Sequence, residues 1–271
     1  MIKTGVVGFG GRMGSLIART IMDSPDLVLE GALEDKAHPA VGRDVGEMLG
    51  SKKTGIKVAA DLGEAFVSCD CIVDFTFPEV TLATLRYASE KGKSVVIGST
   101  GFTEEQKKSV ASSASMIPVV LSPNMSIGVN VLLNLVGMMA GLLDETYDVE
   151  IVEAHHRLKK DAPSGTALAL AQAVARGRGV ELDEHARYER HGIIGVRPQG
   201  EIGIQTVRAG DIVGEHVVMF AGPGERIEIT HKAHSRENFA RGALRAVRWL
   251  KGKGPGLYSM MDVLGISHEN R

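Results

Sequence analysis

Apolar positions along this chain recur with two periods, and the period changes partway through. Residues 2–7 (IKTGVV) form a short apolar run ahead of a glycine turn. Residues 12–22 then carry Met13, Leu16, Ile17 and Ile21 at helical spacing, and 27–33 reads as a second strand;. The alternation continues: strand 71–75, helix 78–91, strand 94–97, helix 103–115 and strand 118–121. These strands are continuous apolar runs, as expected of parallel strands covered on both faces. Strand, glycine turn, helix, strand is the opening unit of a parallel nucleotide-binding sheet.

From residue 126 the pattern differs. Residues 126–143 predict a long apolar helix, 147–154 a strand and 163–175 a helix. Three alternating β segments follow: 201–209, 212–220 and 226–233. The last two flank Gly222-Pro223-Gly224 and predict a hairpin;. Residues 176–200 read as a long loop, and 236–250 as a final amphipathic helix;. The fold class expected is α/β: an N-terminal Rossmann-like dinucleotide-binding domain and an α+β C-terminal domain with a mixed sheet.

Composition narrows the partners. A formal net charge of -2 over 271 residues gives no global basic field for nucleic acid or an anionic membrane, so any anion site is local;. Aromatics at 4% argue against a stacking platform for bases;. Asn130, Asn134 and three glycines interrupt the apolar stretch after Ser126, which reads as a buried helix rather than a span;. Cys69 and Cys71 read as core thiols in a reducing compartment, and no metal pattern is present;. With no leader segment read at the N-terminus, the location expected is cytoplasmic.

Two constellations carry chemistry. In VVGFGGRMG, Gly8, Gly10, Gly11 and Gly14 permit a tight turn and let backbone N–H groups approach a pyrophosphate;. Arg12 is either a phosphate contact or a solvated helix-start arginine. About twenty residues on, Glu34 and Asp35 stand at a strand end, suited to the adenosine ribose hydroxyls and hostile to a 2′-phosphate;. The second constellation is EAHHRLKKDAPSGTA, residues 153–167. His155 is the candidate general acid/base, because imidazole titrates near neutral pH. His156 is its neighbour, and both enter one cleft only if the strand has ended. Lys159 offers a cation, and Asp161 either caps the next helix or orients Lys159. Pro163 suits a first helical turn. Ser164, Gly165 and Thr166 offer amides and hydroxyls at a helix start, where an ordinary N-cap is the competing reading.

Both constellations resemble those of the dihydrodipicolinate reductase family, over essentially the whole chain. The resemblance implies reduction of 4-hydroxy-tetrahydrodipicolinate, after loss of water, to tetrahydrodipicolinate in the diaminopimelate–lysine pathway. It implies NADH and/or NADPH as cofactor, held by Gly8, Gly10, Gly11, Arg12, Met13, Gly14, Glu34, Asp35, Thr76, Gly98, Thr100, Asn124 and Met125. Family members that use NADPH well carry arginine where this chain has Asp35, so NADH use is expected. His155 and Lys159 are implied as catalytic. His156, Ser164, Gly165, Thr166 and Arg236 are implied as binding a dicarboxylate, with Arg236 opening the last helix. The family's last helix returns to the first domain, so 1–126 with 236–271 and 127–235 are the expected domains. Family members are commonly homotetramers. Two other readings stay open: another two-domain NAD(P)H oxidoreductase acting on an amino or imino acid, and a non-catalytic NAD(P)H-sensing regulator.

Overall fold

A computed structural model describes residues 1–266; the expected first-domain tail at 267–271 lies outside the described residues. Contacts divide the chain into two units, Met1–Ser126 with Glu237–Gly265, and Ile127–Arg236.

The first unit opens with β1 (Ile2–Val7), α1 (Arg12–Met22) and β2 (Leu27–Leu33). Then come α2 (Val45–Met48), β3 (Val58–Ala59), α3 (Leu62–Phe66), β4 (Cys71–Asp74) and α4 (Pro78–Lys91). β5 (Ser94–Ile97), α5 (Glu104–Ala114) and β6 (Pro118–Leu121) complete the N-terminal part. The strands pair in parallel, in the order β3, β2, β1, β4, β5, β6. The order reverses between β1 and β4, so the switch point lies beside the glycine turn, where doubly wound sheets bind ligands;. Leu85, Ala88, Val110 and Ala114 of α4 and α5 cover one face, packing on Ile72, Val95, Ile97 and Val119.

In the second unit, α6 (Ile127–Leu142) and β7 (Asp148–His155) are followed by α7 (Gly165–Arg178), α8 (Leu182–His185) and β8 (Ala186–Arg187). β9 (Ile202–Arg208), β10 (Gly214–Gly222) and β11 (Glu225–Ala233) finish a mixed sheet of order β11-β10-β7-β9-β8. β10 runs antiparallel to both β7 and β11, whereas β7, β9 and β8 run parallel. One face is apolar: Val149, Ile151, Ile202, Ile204, Val218 and Phe220 pack against Leu132 and Val136 of α6 and Leu170 and Val174 of α7. The two helices approach closely because a Cβ on Gly177 would lie only 2.3 Å from the Gly137 carbonyl oxygen. The chain then returns to the first unit with α9 (Glu237–Leu250), β12 (Gly256–Tyr258) and α10 (Met260–Leu264), and β12 extends the parallel sheet beside β6.

Several expectations need correction. Residues 176–200 are not one loop: α7 runs on to Arg178, and α8 and β8 follow. Arg190 and Arg197 then bind the stretch before β9 to Glu150 and Asp148 of β7, with Arg190 Nη1 2.9 Å from Glu150 Oε2. The short elements α2, β3, α3, β12 and α10 were not anticipated; two to five residues are too few to show a period;. Pro163 does not enter a helix. The Ala162–Pro163 bond is cis, Ser164 is the N-cap and Gly165 begins α7. Arg236 lies one residue ahead of α9 rather than opening it. Among the described residues no helix is long and apolar enough to cross a membrane.

Helix α9 crosses the backbone of Met125 at Gly242, where a Cβ would stand 1.7 Å from the Met125 carbonyl oxygen. Alanine is favoured over glycine within a helix by about 1 kcal/mol, but forcing atoms into a filled space costs about 1–3 kcal/mol or more. Gly242→Ala is therefore expected to lose about 1–2 kcal/mol of stability in urea unfolding. A variant as stable as the wild type would contradict this packing.

Candidate active site

The glycine turn between β1 and α1 is built on close approaches. Gly8 has φ +70°, and a Cβ there would strike Thr76 Cγ2 at 2.5 Å;. A Cβ on Gly14 would stand 2.0 Å from the Gly8 carbonyl oxygen, so only glycine lets α1 start this near the turn. Gly11 is the N-cap of α1; no side chain caps it, and the first turn holds no acid. Those conditions suit a pyrophosphate on the first-turn amides. At the end of β2, Glu34 Oε2 accepts a hydrogen bond from Gly10 N (2.7 Å) and Oε1 one from Asp35 N (2.9 Å). The exposed Asp35 accepts from Ala37 N (2.9 Å). Arg12 is exposed, and Met13 is half-buried.

The other candidate nucleotide-site residues follow strands of the same sheet, on the same edge. Thr76 donates through both N and Oγ1 to Asp74 Oδ1, at 2.9 and 2.6 Å. Asp74 is fully buried at the end of β4, and burial raises its carboxyl above the usual carboxylate range. Ser99 Oγ, beyond β5, lies 3.4 Å from the same oxygen and 2.9 Å from Thr81 Oγ1. Gly98 N donates to the Asp74 carbonyl (2.8 Å), and Thr100 is exposed. After β6, Asn124 Oδ1 accepts from Ser126 N (2.9 Å). Met125 as a whole is only 1% exposed, and its carbonyl oxygen lies against Gly242 of α9. From the β6 loop to the β2 loop, four strand spacings span about 19 Å. The cofactor residues named from sequence thus share one edge; Asp74 and Ser99, which tie two of its loops together, were not anticipated.

The second cluster is on the helix-covered face of the mixed sheet. Side chains two apart in a strand share a face, so Glu153 and His155 of β7 stand side by side. Across the ladder, Glu153 pairs with His216 of β10 and Thr206 of β9, while His155 pairs with Arg208. Glu153 has no exposed surface. Its Oε2 lies 2.6 Å from His155 Nδ1 and 2.8 Å from Arg208 Nη1. Its Oε1 accepts from Arg208 Nη2 (2.8 Å) and from the Ser164 backbone N–H (2.8 Å), and Thr206 Oγ1 is 3.4 Å away. Burial pushes the Glu153 carboxyl upward, but the bonds from Arg208, His155 and Ser164 overcome that and hold it at about 2;.

His155 is itself pulled below the ordinary imidazole range, chiefly by burial, against the opposing pull of Glu153. Its ring meets His216 edge to face with centroids 5.3 Å apart. A Cβ on Gly214 would stand 3.0 Å from its Nε2, so this glycine leaves space around that nitrogen. His216 is buried, and its Nε2 lies 3.2 Å from Ser164 Oγ. Burial and the neighbouring His155 hold His216 at about 4.

β7 ends at His155, and His156 starts a turn closed by Lys159 N bonding to the His156 carbonyl (3.1 Å). Lys159 Nζ pairs with Asp161 Oδ2 at 2.9 Å, so Asp161 orients the lysine and Ser164 is the helix cap. Ser164 is 2% exposed, with its N–H given to Glu153 and its Oγ accepting from Ala167 N. Its groups are engaged within the chain. Gly165 is exposed, and a Cβ there would meet nothing within 4 Å. Arg236 is exposed, and no hydrogen bond or ion pair joins it to this cluster among the described residues. Glu153 could be read locally from its spacing to His155; Arg208 and His216 come from later strands, and only the sheet register brings them in.

A parallel sheet with an uncapped glycine turn at its switch point, in one chain with a His–Glu–Arg cluster built around a buried carboxylate, defines a pyridine-nucleotide-dependent oxidoreductase;. Residues 2–125 match the family description "Dihydrodipicolinate reductase, N-terminus" and residues 128–264 its "C-terminus". Curated relatives include the 4-hydroxy-tetrahydrodipicolinate reductases of Syntrophobacter fumaroxidans, 53% identical over 98% of this chain and 100% of that protein, and of Syntrophus aciditrophicus, 52% identical over 98% and 99%. A dipicolinate-bound dihydrodipicolinate reductase from Paenisporosarcina sp. TG-14 superposes with TM-score 0.79, at 25% identity, over 97% of this chain and 98% of that one. The chain belongs to the dihydrodipicolinate reductase family.

His216 carries a testable sign. A histidine held neutral by burial takes up its proton more readily in the unfolded chain. Its contribution is therefore complete above pH ~6.5 and is lost as pH falls toward 4;. The shift amounts to about 3 kcal/mol. Urea unfolding at pH 7 and pH 4 is expected to show this loss in the wild type and a flatter response in His216→Asn. An equal pH slope in both would remove His216 from the account.

Proposed function

We propose that this chain reduces 4-hydroxy-tetrahydrodipicolinate, after loss of water, to tetrahydrodipicolinate, with NADH or NADPH as reductant. The observation that carries the reading is the half-buried His155 held by the buried Glu153 beside the start of α7, in a chain about half identical to curated reductases of that name. When bound, the nicotinamide supplies the hydride. His155, in its protonated form, delivers a proton from Nε2 to the neighbouring substrate carbon and is left neutral. Lys159, His156, the Gly165–Thr166 turn and Arg236 bind the two carboxylates, and Arg236 suits bidentate pairing. Ser164 supports this turn as its cap. The dipicolinate-bound relative is consistent with a planar dicarboxylate ligand for the family.

Residues 1–126 and the C-terminal return form the dinucleotide-binding domain, and 127–235 the substrate-binding domain. In the former, Gly8, Gly10, Gly11, Arg12, Met13 and Gly14 hold the pyrophosphate and Glu34 the adenosine ribose. Thr76, Gly98, Thr100, Asn124 and Met125 line the nicotinamide end. Asp35 repels a 2′-phosphate and favours NADH. The second domain assembles a homotetramer in the cytoplasm; the exposed apolar side chains Ile193 (106% relative exposure) and Val196 (94%) support self-association;.

Two experiments test the reading. His155→Gln and Lys159→Ala are each expected to lower kcat by about 10²–10⁴-fold while NADH, followed by its fluorescence, binds as in the wild type. Full turnover in both variants would reject the assigned roles. Asp35→Arg is expected to move the kcat/KM ratio toward NADPH by about tenfold or more, since it replaces a repelling charge by an attracting one. An unchanged ratio would exclude Asp35 as a determinant.

A further inference from the structure

Proton delivery by His155 requires that one particular ring nitrogen be fixed as the donor. We infer that Glu153 is a positioning residue for the reduction: one buried carboxylate sets both the tautomer of His155 and the backbone at the start of α7. The inference rests on His155 being the proton donor.

The geometry is over-determined. An ionised carboxylate only accepts hydrogen bonds. With Glu153 Oε2 at 2.6 Å, His155 Nδ1 must carry hydrogen, whether the ring is neutral or charged;. The exchangeable proton is then the one on Nε2, the nitrogen beside which Gly214 leaves space. After delivery the ring keeps its Nδ1–H and its bond to Glu153, so nothing has to reorient. Glu153 cannot swing away either. Arg208 holds both of its oxygens at 2.8 Å, and the same guanidinium donates to the Asp161 carbonyl at 2.6 Å. Through Ser164 N–H the carboxylate also anchors the residue before Gly165. Proton donor and carboxylate-binding turn are thus registered to one anion. The charged or titratable groups around His155 are Glu153 on its own strand, Arg208 on β9, His216 on β10 and Lys159 in the turn. Of these, Glu153 alone favours the protonated ring.

Glu153→Gln separates this role from simple packing, because the side chain keeps its shape. The amide oxygen is best placed toward Ser164 N–H and Arg208 Nη2, which turns the amide NH₂ toward His155 Nδ1. That nitrogen must then accept, and the neutral ring switches to the Nε2–H form. Imidazole ¹⁵N shifts of His155 are expected to report Nδ1–H in the wild type and Nε2–H in the variant. kcat should fall about 100-fold at neutral pH, and the alkaline limb of the kcat profile should move to lower pH. NADH affinity should stay as in the wild type. A variant with wild-type kcat and pH profile overturns the inference. So does an Nε2–H ring in the wild type, a measurement that needs no variant to fold. His155→Gln is the separate control: if it retains wild-type kcat, the proton-donor reading fails and takes this one with it. If it is inactive while Glu153→Gln turns over normally, only the positioning role is lost.

Discussion

A carboxylate with no exposed surface must be met by donors, because an unpaired buried charge costs several kcal/mol;. Glu153 is met from three directions, and each donor belongs to a different part of the second unit. Arg208 comes from β9, His155 from the same strand two residues on, and the Ser164 amide from the turn ahead of α7. A one-residue slip of β7 against β9 would turn Glu153 and His155 together to the opposite face, away from Arg208 and the Ser164 amide;. The same slip would drive Val149 and Ile151 out of the apolar layer. Polar and apolar requirements therefore select one register, and the chemical cluster is a by-product of that selection as much as of local sequence.

The parallel sheet is organised differently. Its nucleotide edge depends on backbone closeness more than on charge. Gly8, Gly14 and Gly242 all stand where a Cβ would collide with backbone or with Thr76. The polar element on that edge is a buried network, in which Asp74 accepts from Thr76 and lies within reach of Ser99. It links the loops after β4 and β5, so the residues that would flank a nicotinamide are held by a shared acceptor. Charge at the far end of the edge, Glu34 and Asp35, is exposed or half-buried and so is available to discriminate between ligands.

Much of this was legible in the residues. Strands 2–7, 27–33, 94–97 and 118–121 and helices 12–22 and 78–91 coincide with observed elements because each is a long or strongly bounded run. The hairpin over Pro223-Gly224 follows from turn chemistry, with Gly224 at φ +83°;. The errors share a cause. Helix α7 begins at Gly165, two residues beyond Pro163, because Ser164 takes the N-cap position, which periodicity cannot show. α8 and β8 are too short for a period, and their segment is instead held by Arg190 and Arg197 on Glu150 and Asp148. At the site, His155, Lys159 and the 164–166 turn were visible as one contiguous stretch. Arg208 and His216 were not, because they lie more than fifty residues further along and enter only by strand pairing. Ser164 was visible as a residue type but not in its use, since a cap and a ligand donor look alike before the partners are known.

The position of β12 has a consequence for biogenesis. It joins the parallel sheet beside β6, yet it is separated from β6 in the chain by the entire second unit. During translation, β6 emerges early and leaves its outer hydrogen-bonding edge unsatisfied until β12 has cleared the ribosome. An open strand edge invites pairing with other nascent chains. A premature stop before residue 256 would leave that edge open permanently.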